Sequence, residues 1–158
     1  MPKIPKYCID TSSYITAWCH HYSPAIFESL WKKVGEALNQ GIIISPREVL
    51  DELERGSDEL LKWAKLHKAA FIELEEKPQK ILSEIMKSHP KIIDLSIPEI
   101  QADPYVIALA KHTDTIIVTE EKSAVDSKKK LKIPDVAKNY KVNCVPFSKL
   151  IEMEGWKF

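Results

Sequence analysis

The chain has 158 residues, and its 23 Lys plus Arg balance its 23 Asp plus Glu, so the formal net charge is zero. With 44% apolar and 29% charged residues, it matches one globular domain that buries its core without disulfide or zinc staples, and not a disordered tail. Zero net charge excludes a broadly basic nucleic-acid surface, so any polyanion must be met at a local site.

Tyr7-Cys8-Ile9 is a short apolar run ending at Asp10 and predicts a buried strand. After a polar Thr11-Ser12-Ser13 step, Ser23-Pro24 predicts a helix start, with Ser as N-cap and Pro at the first helical position. Ile26, Phe27, Leu30, Trp31, Val34 and Leu38 follow helical spacing, and Gly41 supplies the stop. Ile42-Ile43-Ile44, β-branched throughout, reads as a second buried strand. Ser45-Pro46 repeats the helix-opening signal, for a helix through Arg55 that ends before Gly56. Further helices are expected over 58–70 and 78–88, the second stopped by His89-Pro90.

Asp103-Pro104 starts a helix whose residues Tyr105 to Lys111 are almost wholly apolar and therefore buried. Thr115 to Thr119 is the clearest central strand. A lysine-rich loop then runs to Lys132, and Ile133-Pro134-Asp135 opens a short helix. Val142 to Val145 is a last strand and Pro146 to Glu154 a closing helix. Strands without alternation, separated by helices, give an α/β fold: a central, mainly parallel sheet of four to five strands, covered on both faces, in a single domain over 1–158.

No apolar run approaches the roughly 20 residues of a membrane-spanning helix. The start, Met1-Pro2-Lys3-Ile4-Pro5-Lys6, is too polar and proline-broken for a signal peptide, so a cytoplasmic protein is expected. Cys8, Cys19 and Cys144 include no Cys-x-x-Cys pair, in keeping with a reducing compartment. Cys19-His20-His21 is consecutive, so its side chains do not share a helix face, and no second ligand pair follows at zinc spacing.

In a parallel sheet, ligands bind outside the carboxyl ends of the strands. Asp10 ends the first strand, Glu120 and Glu121 follow Thr119 at the end of another, and Asp103 starts the buried helix. The second strand leads into the helix that carries Glu48, Asp51, Glu52 and Glu54. Acids from four places in the sequence therefore converge on one edge. Clustered carboxylates resist ionisation unless a cation compensates them, and Mg²⁺ or Mn²⁺ suits an all-oxygen donor set. Each acid also has a plain structural role: Asp10 closing a turn, Asp103 capping a helix, Glu120 and Glu121 as solvated loop charges. In the helix, Val49, Leu50 and Leu53 set the buried stripe, and Glu52 and Glu54 border it on opposite sides. Periodicity does not choose between them.

Other chemistries fit poorly. With glycine only at 35, 41, 56 and 155, no Gly-rich phosphate loop exists. A receiver-type phosphoacceptor needs an acidic pair at the first strand end, and an aspartyl phosphatase needs a second Asp at position 12, which is Ser. No His sits at an expected carboxyl strand end, which leaves no Ser-His-Asp arrangement.

Four segments taken together resemble a PIN domain: Ile9-Asp10-Thr11-Ser12, Ser45 to Leu53, Asp103 to Ala110, and Ile117-Val118-Thr119-Glu120-Glu121. They come in that family's order and span essentially the whole chain. The likeness is greatest to short prokaryotic VapC-like PIN proteins long catalogued as a domain of unknown function. The resemblance implies a three-layer α/β/α sandwich and a divalent-metal-dependent endoribonuclease. It puts the family's acids on Asp10, Glu52, Asp103 and Glu121, holding one or two Mg²⁺ or Mn²⁺ ions. The fourth acid is usually Asp, so Glu121 departs from the pattern, and Glu120 is a substitute for it.

Ser12, and Thr119 at the strand end, would support the acids by hydrogen bonding. Lys128, Lys129, Lys130 and Lys132, in the loop after Glu121, would guide RNA. The implied role is the toxin of a toxin–antitoxin pair, with an antitoxin protein as partner and a homodimer as the oligomer. The alternative is a catalytically inactive PIN-like protein-binding module, suggested by Glu121 and by the exposed-looking Trp18, Tyr22 and Trp156.

Overall fold

A computed structural model describes residues 3–56, 58–123 and 130–158. Its elements run β1 (Tyr7–Ile9), α1 (Thr11–Thr16), α2 (Glu28–Gln40), β2 (Ile43–Pro46), α3 (Arg47–Glu54) and α4 (Asp58–Lys65). There follow β3 (Phe71–Ile72), α5 (Glu76–Ser88), α6 (Asp103–Thr113), β4 (Ile116–Val118), α7 (Ile133–Ala137), β5 (Cys144–Val145) and α8 (Phe147–Glu154).

The five strands form one sheet in the order β3-β2-β1-β4-β5, and every pairing is parallel. Tyr7 lies opposite both Ile43 and Ile116, and Ile9 opposite Val118. The chain first moves outward from β1 through β2 to β3, then returns to β4 and β5 on the other side of β1. Parallel crossovers are right-handed, so this reversal puts the connections before and after β3 on opposite faces of the sheet. The result is the three-layer α/β/α sandwich. The helix α6, apolar through its middle with Val106, Ile107 and Ala108 fully buried, packs against β1, β2 and β4. Strand order also reverses at β1, so the crevice at the carboxyl ends of β1 and β4 is where this architecture places a ligand.

Several element boundaries differ from expectation. Ser23 does not start α2; its carbonyl accepts from the Ile26 and Phe27 amides in one isolated turn, and the helix begins at Glu28. Phe27, at φ −109° and ψ 44°, breaks the path. Its ring stands edge-on to Tyr22, 5.4 Å between centroids. Ser45 and Pro46 belong to β2, because the Ser45 hydroxyl is used across the sheet, donating 2.6 Å to the Ile9 carbonyl. The 11–16 stretch, expected as a polar step, is helical and continues into a π-helical turn, Ala17–His21. The 58–70 helix stops at Lys65, and a short 3-10 turn leads to β3, an edge strand of two residues that the sequence does not announce.

Gly41, left-handed at φ 80°, ends α2 as expected. Trp18, Tyr22 and Trp156 are half-buried against the core, not exposed. Trp18 sits 4.8 Å from Trp31 and 5.7 Å from Trp63, centroid to centroid, which joins the π-helical turn after α1 to α2 and α4. Cys8, Cys19 and Cys144 are free thiols. Among the described residues no helix is long and apolar enough to cross a membrane.

Candidate functional site

The chain leaves β1 at Asp10, and that exit point makes the residue. Asp10 is 2% exposed, and its carboxylate caps α1 by accepting from the Ser13 amide at 2.9 Å. The register Ile9 opposite Val118 sets Thr119 beside it, and Thr119 Oγ1 donates to Asp10 Oδ2 at 2.7 Å. Ser12 Oγ lies 2.9 and 3.0 Å from the two Asp10 oxygens. Each hydroxyl is itself aimed by the backbone: the Glu120 amide donates to Ser12 and the Glu121 amide to Thr119. The two hydroxyls therefore spend their protons on Asp10.

Burial nonetheless pushes the Asp10 carboxyl up to about 7, since desolvation outweighs those donors and the Asp103 charge adds to it. Glu121 is raised for the same two reasons, burial first and Asp103 second.

Glu52 comes from α3, where Val49 and Leu53 fill the core and turn it toward the strand ends. Thr11 Oγ1 donates to Glu52 Oε1 at 2.5 Å, and the Ala102 amide donates to Oε2 at 3.3 Å. The carboxylate thus ties α3 to the start of α6, beside Asp103. Glu54 faces away, 3.9 Å from Lys65 at half exposure, so of the two acids that border the stripe the structure brings Glu52 to the site. Glu48 and Asp51 line a separate cavity of about 460 Å³ with Arg47 and Glu73.

Asp10, Glu52, Asp103 and Glu121 line one cleft of about 450 Å³ at the carboxyl ends of β1 and β4. Glu121 Oε2 accepts from the Ile133 amide at 2.8 Å. Glu120 is not in this lining: it turns toward α8, where Glu120 Oε1 accepts from the Phe147 amide at 2.9 Å. As the side chains stand, Glu120 is no substitute for Glu121.

Of the four lysines, Lys128 and Lys129 lie outside the described residues. Lys132 immediately precedes α7, and its charge acts on Glu121. Lys130 turns into the cleft. Its Nζ stands 2.5 Å from Asp103 Oδ2 inside the cleft. Burial alone would lower its ammonium, but Asp103, Glu121 and Glu52 together hold it above the usual lysine value.

Sequence reasoning missed Arg55, which also lines the cleft and donates 2.9 Å to the Ile100 carbonyl. It also missed Thr11. Arg55 follows Glu52 by three residues, a spacing that puts both on one helix face, and this was the available signal.

The donors suit a hard divalent ion: carboxylate oxygens only, backed by hydroxyls, with the most buried acid under-compensated and one ammonium already drawn in among them. Among the described residues no three His, Cys, Asp or Glu side chains stand close enough to hold a metal as the structure stands. The fit is therefore one of donor chemistry and convergence, with Lys130 on Asp103 and Arg55, 3.9 Å from Glu52 Oε2, as cations already in the cleft.

No curated protein sequence matches the chain significantly. A family model, DUF4411, described as a domain of unknown function, matches residues 7–158. The chain belongs to that family.

Proposed function

We propose that the protein is a divalent-metal-dependent endoribonuclease of the PIN type. The observation that carries this reading is the convergence of Asp10, Glu52, Asp103 and Glu121, from four separate elements, on one cleft at the sheet's switch point. Mg²⁺ or Mn²⁺ held there would supply a Lewis acid for the phosphodiester and a more acidic water.

The chain's own residues do the rest. Ser12 and Thr119 hold the Asp10 carboxylate with its lone pairs aimed, Thr11 holds Glu52, and the Ile133 amide holds Glu121. Arg55 at the cleft wall offers a planar set of donors to a phosphate, of which one is used by the Ile100 carbonyl. Lys132 adds local positive charge. A chain of zero net charge can then bind RNA at this one place. The role of toxin, with an antitoxin as partner and a homodimer as the working form, is carried by the resemblance of the motifs.

The test is cleavage of RNA by purified protein with Mn²⁺ or Mg²⁺, for wild type, Asp10→Asn, Glu52→Gln and Asp103→Asn. Metal-dependent cutting that each variant loses by about a hundredfold or more supports the reading. Equal cutting by the variants, or none by wild type, defeats it.

A second reading is an inactive PIN-like protein-binding module. The short Lys130–Asp103 pair favours it, because a cation of the chain already neutralises one of the acids. Calorimetric titration with Mn²⁺ separates the two readings, since the inactive module binds no metal.

A further inference from the structure

Lys130 and Asp103 form the shortest ion pair among the described residues, at 2.5 Å. Its lysine is also the least exposed cation of any such pair, 26% against 39% for Arg55 and 48% or more for the other lysines. The pair is not a surface accident. Lys130 lines the cleft together with Asp10, Glu52 and Glu121.

The chain just beyond it is anchored, once on a cleft acid. The Leu131 amide donates to the Lys91 carbonyl, the Lys132 amide to Asp135 Oδ2, and the Ile133 amide to Glu121 Oε2. Three successive amides thus hold the backbone that delivers the ammonium into the acid cluster.

A cluster of carboxylates with a low-dielectric floor needs positive charge near it. One ammonium supplies one charge and satisfies Asp103, yet leaves Asp10 and Glu121 under-compensated. A divalent ion supplies two charges and can bridge several oxygens. An ammonium and a divalent ion drawn to the same Asp103 oxygen repel each other at close range, so each weakens the hold of the other. We infer that Lys130 is a built-in competitor for the divalent ion: it occupies Asp103 in the metal-free protein and has to be displaced when metal binds. This inference rests on the metal-dependent reading above.

Once displaced, the ammonium stays tethered at Leu131 beside the cleft, one side-chain length from the acids. There it becomes a free cation for a substrate phosphate. The same residue therefore holds the acid cluster together without metal and joins the substrate side when metal is present.

The test uses full-length wild type, Lys130→Met and Lys130→Arg, titrated with Mn²⁺ by calorimetry and melted in EDTA. Lys130→Met should bind Mn²⁺ about five- to tenfold more tightly than wild type, because no ion pair has to break. In EDTA it should melt below wild type, and the order should reverse in saturating Mn²⁺. Lys130→Arg keeps the charge and should stay near wild type in both measurements. Equal or weaker Mn²⁺ binding by Lys130→Met, with wild type binding normally, overturns the inference and leaves the metal reading standing. Absence of Mn²⁺ binding by all three proteins overturns both.

Discussion

Thr119 Oγ1 donates to Asp10 Oδ2 across two paired strands, joining residues 109 positions apart in sequence. The contact exists because β1 and β4 are neighbours in register, with Ile9 opposite Val118. Thr119 also accepts from the Glu121 amide, so one hydroxyl links the first acid of the cleft to the loop that carries the last.

Removing this donor raises the Asp10 carboxyl further. Thr119→Val should shift the pH dependence of Mn²⁺ binding upward by about 1 unit, the effect of losing one hydrogen bond to a charged group. Ser12→Ala should act in the same direction. Calorimetry at several pH values reads this, and an unshifted profile would contradict the role given to the two hydroxyls.

The raised Asp10 carboxyl also makes metal-free stability depend on pH. An ordinary Asp titrates near 3.8, and in the fold Asp10 titrates at about 7. Between these values the folded state binds the proton that the unfolded state has released, so stability falls as pH rises through that window. Glu121 is shifted the same way and adds to the slope. In EDTA, wild type should lose melting temperature from about pH 4 to pH 7, while Asp10→Asn should lose less and melt higher than wild type at pH 8. A steeper loss for the variant would defeat this account of the buried charge.

Glu120 and Glu121 are adjacent but have different jobs. Glu120→Ala removes the acceptor for the Phe147 amide at the start of α8 and should cost about 1 kcal/mol of stability, with Mn²⁺ affinity unchanged. Glu121→Gln should weaken Mn²⁺ by about tenfold or more. Paired melts and titrations of the two variants check this, and an effect of Glu120→Ala on metal would reverse the assignment.

Arg55 is the cleft's guanidinium. Arg55→Ala should raise the KM for RNA about tenfold while changing kcat less, the signature of a lost phosphate contact. Steady-state kinetics on a short RNA reads the split. A drop in kcat alone would instead assign Arg55 to the reacting centre.

Much of this was legible in the chain. The β-branched and apolar runs at 7–9, 42–44 and 115–119 predict buried parallel strands because such strands have no polar face, and all three form. The cleft's location follows from the carboxyl-end rule. Other features depend on partners far away in sequence. Ser45 looks like an N-cap until the Ile9 carbonyl claims its hydroxyl. The 11–16 helix is hidden by Thr and Ser, weak helix formers, and exists because Asp10 caps it and Tyr14 is buried against Phe71. β3 has only two residues and gives no periodicity to read. Lysines in a charged loop look like a solvated surface, and only the fold shows that one of them turns inward.

The position of β4 has a consequence for when the acid centre comes into being. Asp10 is made before Thr119 and Glu121, and these neighbours reach it only through the β1–β4 pairing, which needs the whole chain between them. Closing a loop of that length costs more chain entropy than the local contacts do. A chain that has not yet reached Thr119 can bring Glu52 toward Asp10 through the β1–β2 pairing, but it lacks the two residues that complete the cleft from β4.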